Sequence, residues 1–541
     1  LFKNNTISAC FCVVQGTINH VDLLFFFFEG SFLMPYLSGF PSSYWKQSAP
    51  ATSYPALNQD AKHDVVIIGA GIAGLVTAMQ LTERGYDVAV IEAGDVAAGT
   101  TGYTTAKVSS QHGLIYDTLI RTVGEESARL YYEANEEAIA FLRHQVERLD
   151  IGCELESQDA YLYVANSKEQ AMEREVRAYE RLGLNGGEAT EEVRSKLPYD
   201  INRAVVLRNQ AQFHPVKYLQ GLAQQIVHQG GKVYEQTRAV SLESNRTPTV
   251  ILENGHRIEA KKVVIATHFP FHDFKGLYFS KLEVHRSYIV SGHVDETFPD
   301  GMFISADQPS RSLRHARTED GRLLGLFGGE NHLSGHETET MQRYEHLADF
   351  ARSEFHVESF EQFWSAQDLI TLDKIPYIGQ MTAGDPNVFV ATGFAKWGMT
   401  NGIAAGLLLS DLLTGTPNRY RHLFDPNRSK LKTKDAAQFV KNNADVAIEL
   451  VKGKLTKARR RADELQPDEG GLITHHGKTV GGYRDPEGNL HLVSTTCTHM
   501  GCDTKWNEAE RSWDCPCHGS RFGPTGEVLE GPAVNPLKSI D

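Results

Sequence analysis

The stretch from Asp64 to Glu92 constrains the fold more than any other part of the chain. Val65-Val66-Ile67-Ile68 is a short apolar run of buried-strand type. It leads into Gly69-Ala70-Gly71-Ile72-Ala73-Gly74, a G-x-G-x-x-G. Apolar residues at helical spacing follow through Leu75, Ala78, Leu81 and Thr82 and stop near Gly85. Val88-Ala89-Val90-Ile91 is the next strand, closed by Glu92. A glycine motif between strand and helix, with an acid at the end of the second strand, is the context in which it binds a dinucleotide. Gly69 permits the tight turn, Gly71 lets the backbone approach a pyrophosphate, and Gly74 lets helix and strand pack closely. The helix N-terminus, with Ile72 and Ala73 in its first turn, offers free N–H groups to phosphate. Glu92 is placed to accept hydrogen bonds from an adenosine ribose. This part of the chain is therefore α/β, but the motif alone does not separate FAD from NAD.

A second pattern lies near the C-terminus. Cys497-Thr498-His499-Met500-Gly501-Cys502 and Cys515-Pro516-Cys517-His518-Gly519-Ser520 give C-x-H, fifteen residues, then C-x-x-H. Two thiolates and two imidazoles from two loop-like segments suit a [2Fe–2S] centre, with Cys497 and Cys515 on one iron and His499 and His518 on the other. A tetrahedral zinc site uses the same donors, but its usual spacing pairs Cys with Cys and His with His. A colourless protein that stays iron-free after reconstitution would favour zinc.

These loops closely resemble the Rieske domain family, specifically the type found in cytochrome bc complexes. The resemblance implies a disulfide between Cys502 and Cys517 tying the loops together. It also implies a hydrogen bond from the Ser520 hydroxyl to a cluster sulfur, which raises the potential. High-potential members carry Tyr where this chain has Phe522. One hydrogen bond fewer implies a middling potential within the roughly −150 to +300 mV Rieske range.

Residues 63–415 resemble the flavin-dependent D-amino-acid and amine oxidase family, of the glycine oxidase-like kind. The likeness is carried by Gly99-Thr100-Thr101-Gly102-Tyr103-Thr104-Thr105-Ala106, Val263-Val264-Ile265-Ala266-Thr267, Lys374 to Gly379, Asn387 to Phe394, and Gly398-Met399-Thr400-Asn401-Gly402. It implies FAD as the cofactor, contacted also by Thr100, Thr101, Val240, Thr267, Gly393, Gly398, Met399 and Thr400. It implies FAD-binding parts at about 63–150, 233–271 and 371–415, interleaved with substrate parts at about 151–232 and 272–370. Lys396, with Trp397, lies where the family's chain passes the isoalloxazine ring. Arg286, with Tyr288, is a candidate clamp for a substrate carboxylate, because Arg binds carboxylates in bidentate fashion. Lys396 and Arg286 are thus the expected catalytic residues.

The net charge of −14 argues against a nucleic-acid partner. Residues 1–62 form an extension that fits neither module. Met34 is the first Met, and residues 1–33 read as an over-extended frame rather than native sequence. The apolar run Leu23 to Phe28 is far short of the ~20 residues of a membrane span. Residues 426–465 are rich in Lys and contain Arg459-Arg460-Arg461, which reads as a basic helical linker; a membrane-surface helix is the alternative. Residues 466–541 hold short alternating strands, such as Leu490 to Val493, around the turn Asp485-Pro486-Glu487-Gly488-Asn489.

The expected architecture is an α/β, Rossmann-like FAD-binding domain with an interleaved α+β substrate domain, followed by a small all-β Rieske domain. The expected activity is cytoplasmic, with no transmembrane segment and peripheral membrane contact as the alternative. A small amine or amino acid is oxidised at FAD, and electrons pass singly through the [2Fe–2S] cluster to an external one-electron acceptor. The competing expectation is an FAD oxidase using O2, with the cluster domain as a redox sensor or docking module.

Overall fold

Continuous apolar runs such as Val65 to Ile68 suit strands covered on both faces. In the computed structural model they form the centre of a largely parallel sheet. The structure describes residues 37 and 39–540, apart from 245, 338, 429–445, 447 and 451–459. The expectation for residues 1–33 and most of that for the linker 426–465 lie outside the described residues. The sheet runs Tyr377–Gln380, Val388–Thr392, Arg257–Ile265, Ala61–Ile68, Val88–Ile91, Lys232–Tyr234. All neighbours are parallel except the Tyr377–Gln380 edge, and Ala239–Glu243 and Thr249–Leu252 continue the sheet beside Arg257–Ile265. The helices Ile72–Glu83 and Gly398–Thr414 pack against each other over this sheet. A long helix spans Glu125–Arg148.

The intervening residues build a nine-stranded mixed sheet. Its order is Phe360–Thr371, Leu282–His293, Leu323–Leu333, Arg311–Arg317, Met302–Ser305, Glu156–Val164, Arg203–Gln212, Lys107–Val108, with Gly186–Glu188 beside Arg203–Gln212. Side chains alternate between faces along Leu282–His293. Tyr288 points to the face covered by the helix Thr340–Phe355, where its ring meets Tyr344 edge-on at 4.7 Å. Ile289 points to the opposite face and joins Trp364 in the core shared with the dinucleotide-binding layer. This parity decides which residues can meet a flavin.

Residues 469–540 form two small antiparallel sheets, Glu469–His475, Lys478–Arg484, Leu490–Val493 and Lys505–Asn507, Ser512–Asp514, Arg521–Phe522, Val528–Glu530. The chain is thus mixed α/β followed by a small all-β domain. Two boundaries shift from expectation. Residues 42–60 belong to the first domain: Trp45 is fully buried and its Nε1 donates to Thr104 O at 2.7 Å, while the Glu235 carboxylate accepts from Tyr54 N at 2.8 Å. The second domain begins before 466, since Arg460 bridges to Ile473 and its Nη1 meets Glu469 Oε1 at 2.8 Å. No helix among the described residues is long and apolar enough to cross a membrane.

Candidate active site and metal centre

The glycine turn is shaped by close backbone approach. Gly69 has φ +109°, and a Cβ there would lie 2.5 Å from Ala266 O; one on Gly74 would lie 2.0 Å from Gly69 O. Gly71 caps the following helix without any side-chain hydrogen bond, so the cap residue supplies no side-chain acceptor to the first-turn N–H groups. Ile72 N does reach Thr101 Oγ1, at 3.3 Å. Glu92 accepts from Ala70 N at 2.8 Å and Gly94 N at 3.0 Å; burial raises its pKa against these bonds. Thr267 follows the neighbouring strand, with its hydroxyl on Phe269 O at 2.7 Å. Val240 sits at an irregularity of strand Ala239–Glu243, three residues after Thr237, whose N–H donates to Glu92 O at 2.7 Å.

A second uncapped helix begins at Gly398, just after the Gly393 turn at φ +77°. Met399 and Thr400 are buried in its first turn, and the Thr400 hydroxyl donates to Ser109 O at 3.0 Å. His112, stacked on Trp397 at 4.8 Å, completes this floor; sequence reading missed it, as no motif marks it. Burial lowers His112 to about 3 and keeps it neutral. A turn with no room for a Cβ and two uncapped helix N-termini suit a dinucleotide pyrophosphate, so these residues fit FAD.

Thr100 Oγ1 donates to Gln367 O at 3.2 Å, tying the flavin turn to the mixed sheet. On the sheet face turned toward this layer, His285 lies opposite Asp368, and Ser287 opposite Ala366. Lys396, at φ 74°, reaches the same face and donates to Ser287 Oγ at 2.8 Å. Lys396 is accessible yet hemmed in by protein, so desolvation lowers its pKa while Asp368 opposes the shift. Burial raises Asp368, against Lys396 and His285.

Arg286 is on the other face. It was expected to clamp a substrate carboxylate, but the chain's own groups occupy it: Nη1 donates to Ser365 Oγ at 2.6 Å, and Nη2 to Gln367 Oε1 at 3.3 Å and Glu530 Oε2 at 3.2 Å. Strand alternation is the cause, because residues 285 and 286 must face opposite sides.

In the second domain the two Cys/His loops converge. The His499 and His518 rings are 5.0 Å apart and perpendicular. Cys497 and Cys515 are buried free thiols in mutual hydrogen-bond contact; that bond draws Cys497 down and pushes Cys515 up. Burial holds His518 neutral, at about 3, and its Nδ1 is buried without a partner. Two adjacent thiols and an orphaned imidazole nitrogen are a donor set that fits a cluster. Cys502 and Cys517 are joined as a disulfide. Cys515 lies within 4.8 Å of both their sulfurs, but those two are bonded to each other and leave no metal-binding pair. Ser520 Oγ accepts from Ala533 N at 3.0 Å and also contacts Cys497, and Phe522 is fully buried.

The cluster loops lie against the flavin-binding domain. A Cβ on Gly519 would lie 2.5 Å from Val284 Cγ1 and 3.0 Å from Gln367 Oε1. His499 Nε2 is 3.2 Å from the buried Asp273 Oδ2, with Phe279 edge-on to His518 at 5.6 Å. His336 Nε2 meets Pro516 O at 3.2 Å, and Thr340 Oγ1 donates to Asn507 Oδ1 at 2.6 Å. Glu530 bridges the domains between Arg286 and Arg521, 3.2 Å from each. Burial alone would raise Glu530, but Arg521 and Arg286 hold it below the usual range. None of the contacts between the two domains was visible in the sequence, since each joins residues more than 150 positions apart.

The chain matches the FAD dependent oxidoreductase family over residues 64–412 and the Rieske [2Fe-2S] domain over residues 457–541. It is 45% identical over 502 residues to YhfW of Bacillus subtilis (strain 168), described as a Rieske 2Fe-2S iron-sulfur protein, covering 93% of this chain and 98% of that one. It is 24% identical to gamma-glutamylputrescine oxidoreductase of Escherichia coli (strain K12), covering 70% of this chain and 90% of the relative. Glycine oxidase from Geobacillus kaustophilus shares the fold, with TM-score 0.57 and 17% identity over 68% of this chain and 100% of that one. The family implies FAD, and the C-terminal domain implies a [2Fe-2S] cluster. The chain belongs to the FAD dependent oxidoreductase family and carries a Rieske [2Fe-2S] domain at its C-terminal end.

Proposed function

We propose that this oxidoreductase oxidises a small amine or amino acid at FAD and delivers the electrons one at a time, through the Rieske cluster, to an external acceptor. When bound, FAD supplies two-electron oxidation of the carbon beside nitrogen, and the cluster supplies a one-electron outlet. The observation that carries this reading is the position of Gln367. Its carbonyl accepts from Thr100 in the flavin turn, and its side chain touches the cluster loop at Gly519. One strand therefore lies between the two binding regions.

The chain's own residues do the rest. Gly69 to Gly74 and Glu92 are assigned the adenosine and pyrophosphate, with Val240 and Thr267 beside them. Thr100, Thr101, Gly393, Gly398, Met399 and Thr400 are assigned the flavin side. Lys396 is held by Ser287 on the flavin-facing side of the sheet. Cys497, His499, Cys515 and His518 are assigned the cluster, with Ser520 tuning it. Asp273 and Phe279 cover the imidazole edge toward the flavin-binding domain.

The test is anaerobic reduction by a panel of amines and amino acids, followed at flavin and cluster wavelengths together. The relay predicts cluster bleaching after flavin bleaching in the wild type and none in His499→Ala. If turnover with an artificial one-electron acceptor is unchanged in His499→Ala, the relay is wrong. The O2-dependent oxidase, with the cluster domain as sensor or docking module, then becomes the better reading.

A further inference from the structure

We infer that Asp368 anchors the cationic nitrogen of the substrate, so that the site selects an amine by its positive charge rather than by a carboxylate. The inference rests on the function proposed above and narrows its substrate class. Three observations carry it.

The first is placement. Asp368 lies opposite His285 on the face of the mixed sheet that turns toward the flavin layer, the face that Lys396 also reaches through Ser287. The second is partnership. Lys396 directs one of its three N–H donors to Ser287, and no donor among the described residues bonds the Asp368 carboxylate; its neighbours Lys396 and His285 act on it through space. His285 is itself incomplete, because its Nδ1 is buried without a partner while Nε2 lies 3.4 Å from Glu283 Oε1. A half-buried carboxylate without a donor is unfavourable until one is supplied. An ammonium supplies it.

The third observation concerns carboxylate receptors. Two arginines of this sheet are buried, and both are committed. Arg286 faces away from the flavin layer and holds Glu530. Arg314 donates through Nη1 to Ala106 O at 2.9 Å and Thr105 O at 3.1 Å, and through Nε to His315 O at 2.9 Å. Among the described residues, no buried arginine is left on this face to hold a substrate carboxylate in bidentate fashion.

The experiment is a binding titration on the FAD-loaded full-length protein, read as perturbation of the flavin absorption bands. The probes are butylamine and butyrate, matched in size and opposite in charge. Butylamine is expected to give a saturable perturbation in the wild type and butyrate none. Loss of a charge-assisted hydrogen bond in Asp368→Asn should weaken butylamine at least about tenfold. Asp368→Glu, which keeps the charge, should retain binding and guards against a folding artefact, as does unchanged FAD content. The inference is overturned if butyrate perturbs the flavin as strongly as butylamine, if butylamine gives no perturbation, or if Asp368→Asn binds it unchanged. The relay is judged separately, by cluster reduction in His499→Ala, so either idea can fail alone.

Discussion

Gly519 is where the seating of the cluster loop against the sheet can be measured. It has φ +72°, and a Cβ there would meet Val284 Cγ1 at 2.5 Å and Gln367 Oε1 at 3.0 Å. Gly501, in the other cluster loop, provides the control: its φ is +82° but nothing lies within 4 Å of its Cβ position. Alanine at either site imposes left-handed strain of about 1–2 kcal/mol. Only Gly519→Ala adds an overpacking cost, of about 1–3 kcal/mol. Gly501→Ala should therefore lose about 1–2 kcal/mol, and Gly519→Ala about 2–5 kcal/mol. The added loss is relieved by lifting the loop from Val284 and Gln367. The assay is a pair of denaturant titrations followed at the visible bands of the cluster. The difference between the variants is the readout, because a two-domain chain need not unfold in one step. Photoreduction of the flavin, with the cluster bands monitored, gives a second readout. Cluster reduction should slow in Gly519→Ala and stay near wild type in Gly501→Ala. Equal midpoint shifts together with equal reduction rates would refute the contact.

Three further outcomes follow from the geometry. Cys502→Ser removes a disulfide closing a 15-residue separation and should cost the cluster domain about 3 kcal/mol, seen as earlier loss of the cluster bands in denaturant. Trp45→Ala empties a fully buried indole site and should cost about 3–5 kcal/mol in denaturant titration; a change below about 1 kcal/mol would mean that residues 42–60 are not part of the domain. His214 is buried and neutral, with burial lowering it from 6.5 to about 3, and its Nδ1 accepts from Lys217 N at 3.2 Å at the start of a helix. Between those values the unfolded chain binds a proton that the folded chain does not, so stability falls as pH drops from 6.5 toward 3. His214→Asn keeps a capping group and should make denaturation midpoints between pH 5 and 7 less pH-dependent.

Local patterns were legible where a few consecutive residues carry the whole constraint. The strand, turn and helix from Val65 to Glu83 form as read, and the two Cys/His loops converge, because backbone sterics and donor spacing act within short windows. The segment around Trp45 was not legible. It has no periodicity and is held by contacts to Gly102, Thr104 and Arg314 that depend on the finished fold. The start of the cluster domain was misplaced for a related reason. Arg460 reads as one more residue of a basic run, and only its bridge to Ile473 and its ion pair with Glu469 attach it to the small sheet.

The site shows the same limit more sharply. Arg286 is an arginine in the substrate region of the sequence, and arginine beside a substrate suggests a carboxylate clamp. One step along a strand reverses the face, so His285 and Ser287 meet the flavin layer while Arg286 meets the cluster domain. That domain then supplies the carboxylate, Glu530, from 244 positions away. The strand thus serves both compartments at once, with His285 and Ser287 facing the flavin layer and Val284 and Arg286 meeting the cluster domain. A substitution at Arg286 should accordingly disturb the joint between the domains before it disturbs substrate binding, and one at Asp368 should do the reverse. Comparing Arg286→Met with Asp368→Asn in the butylamine titration and in the cluster-reduction trace separates the two. If Arg286→Met weakens butylamine as much as Asp368→Asn does, the assignment of faces to functions is wrong.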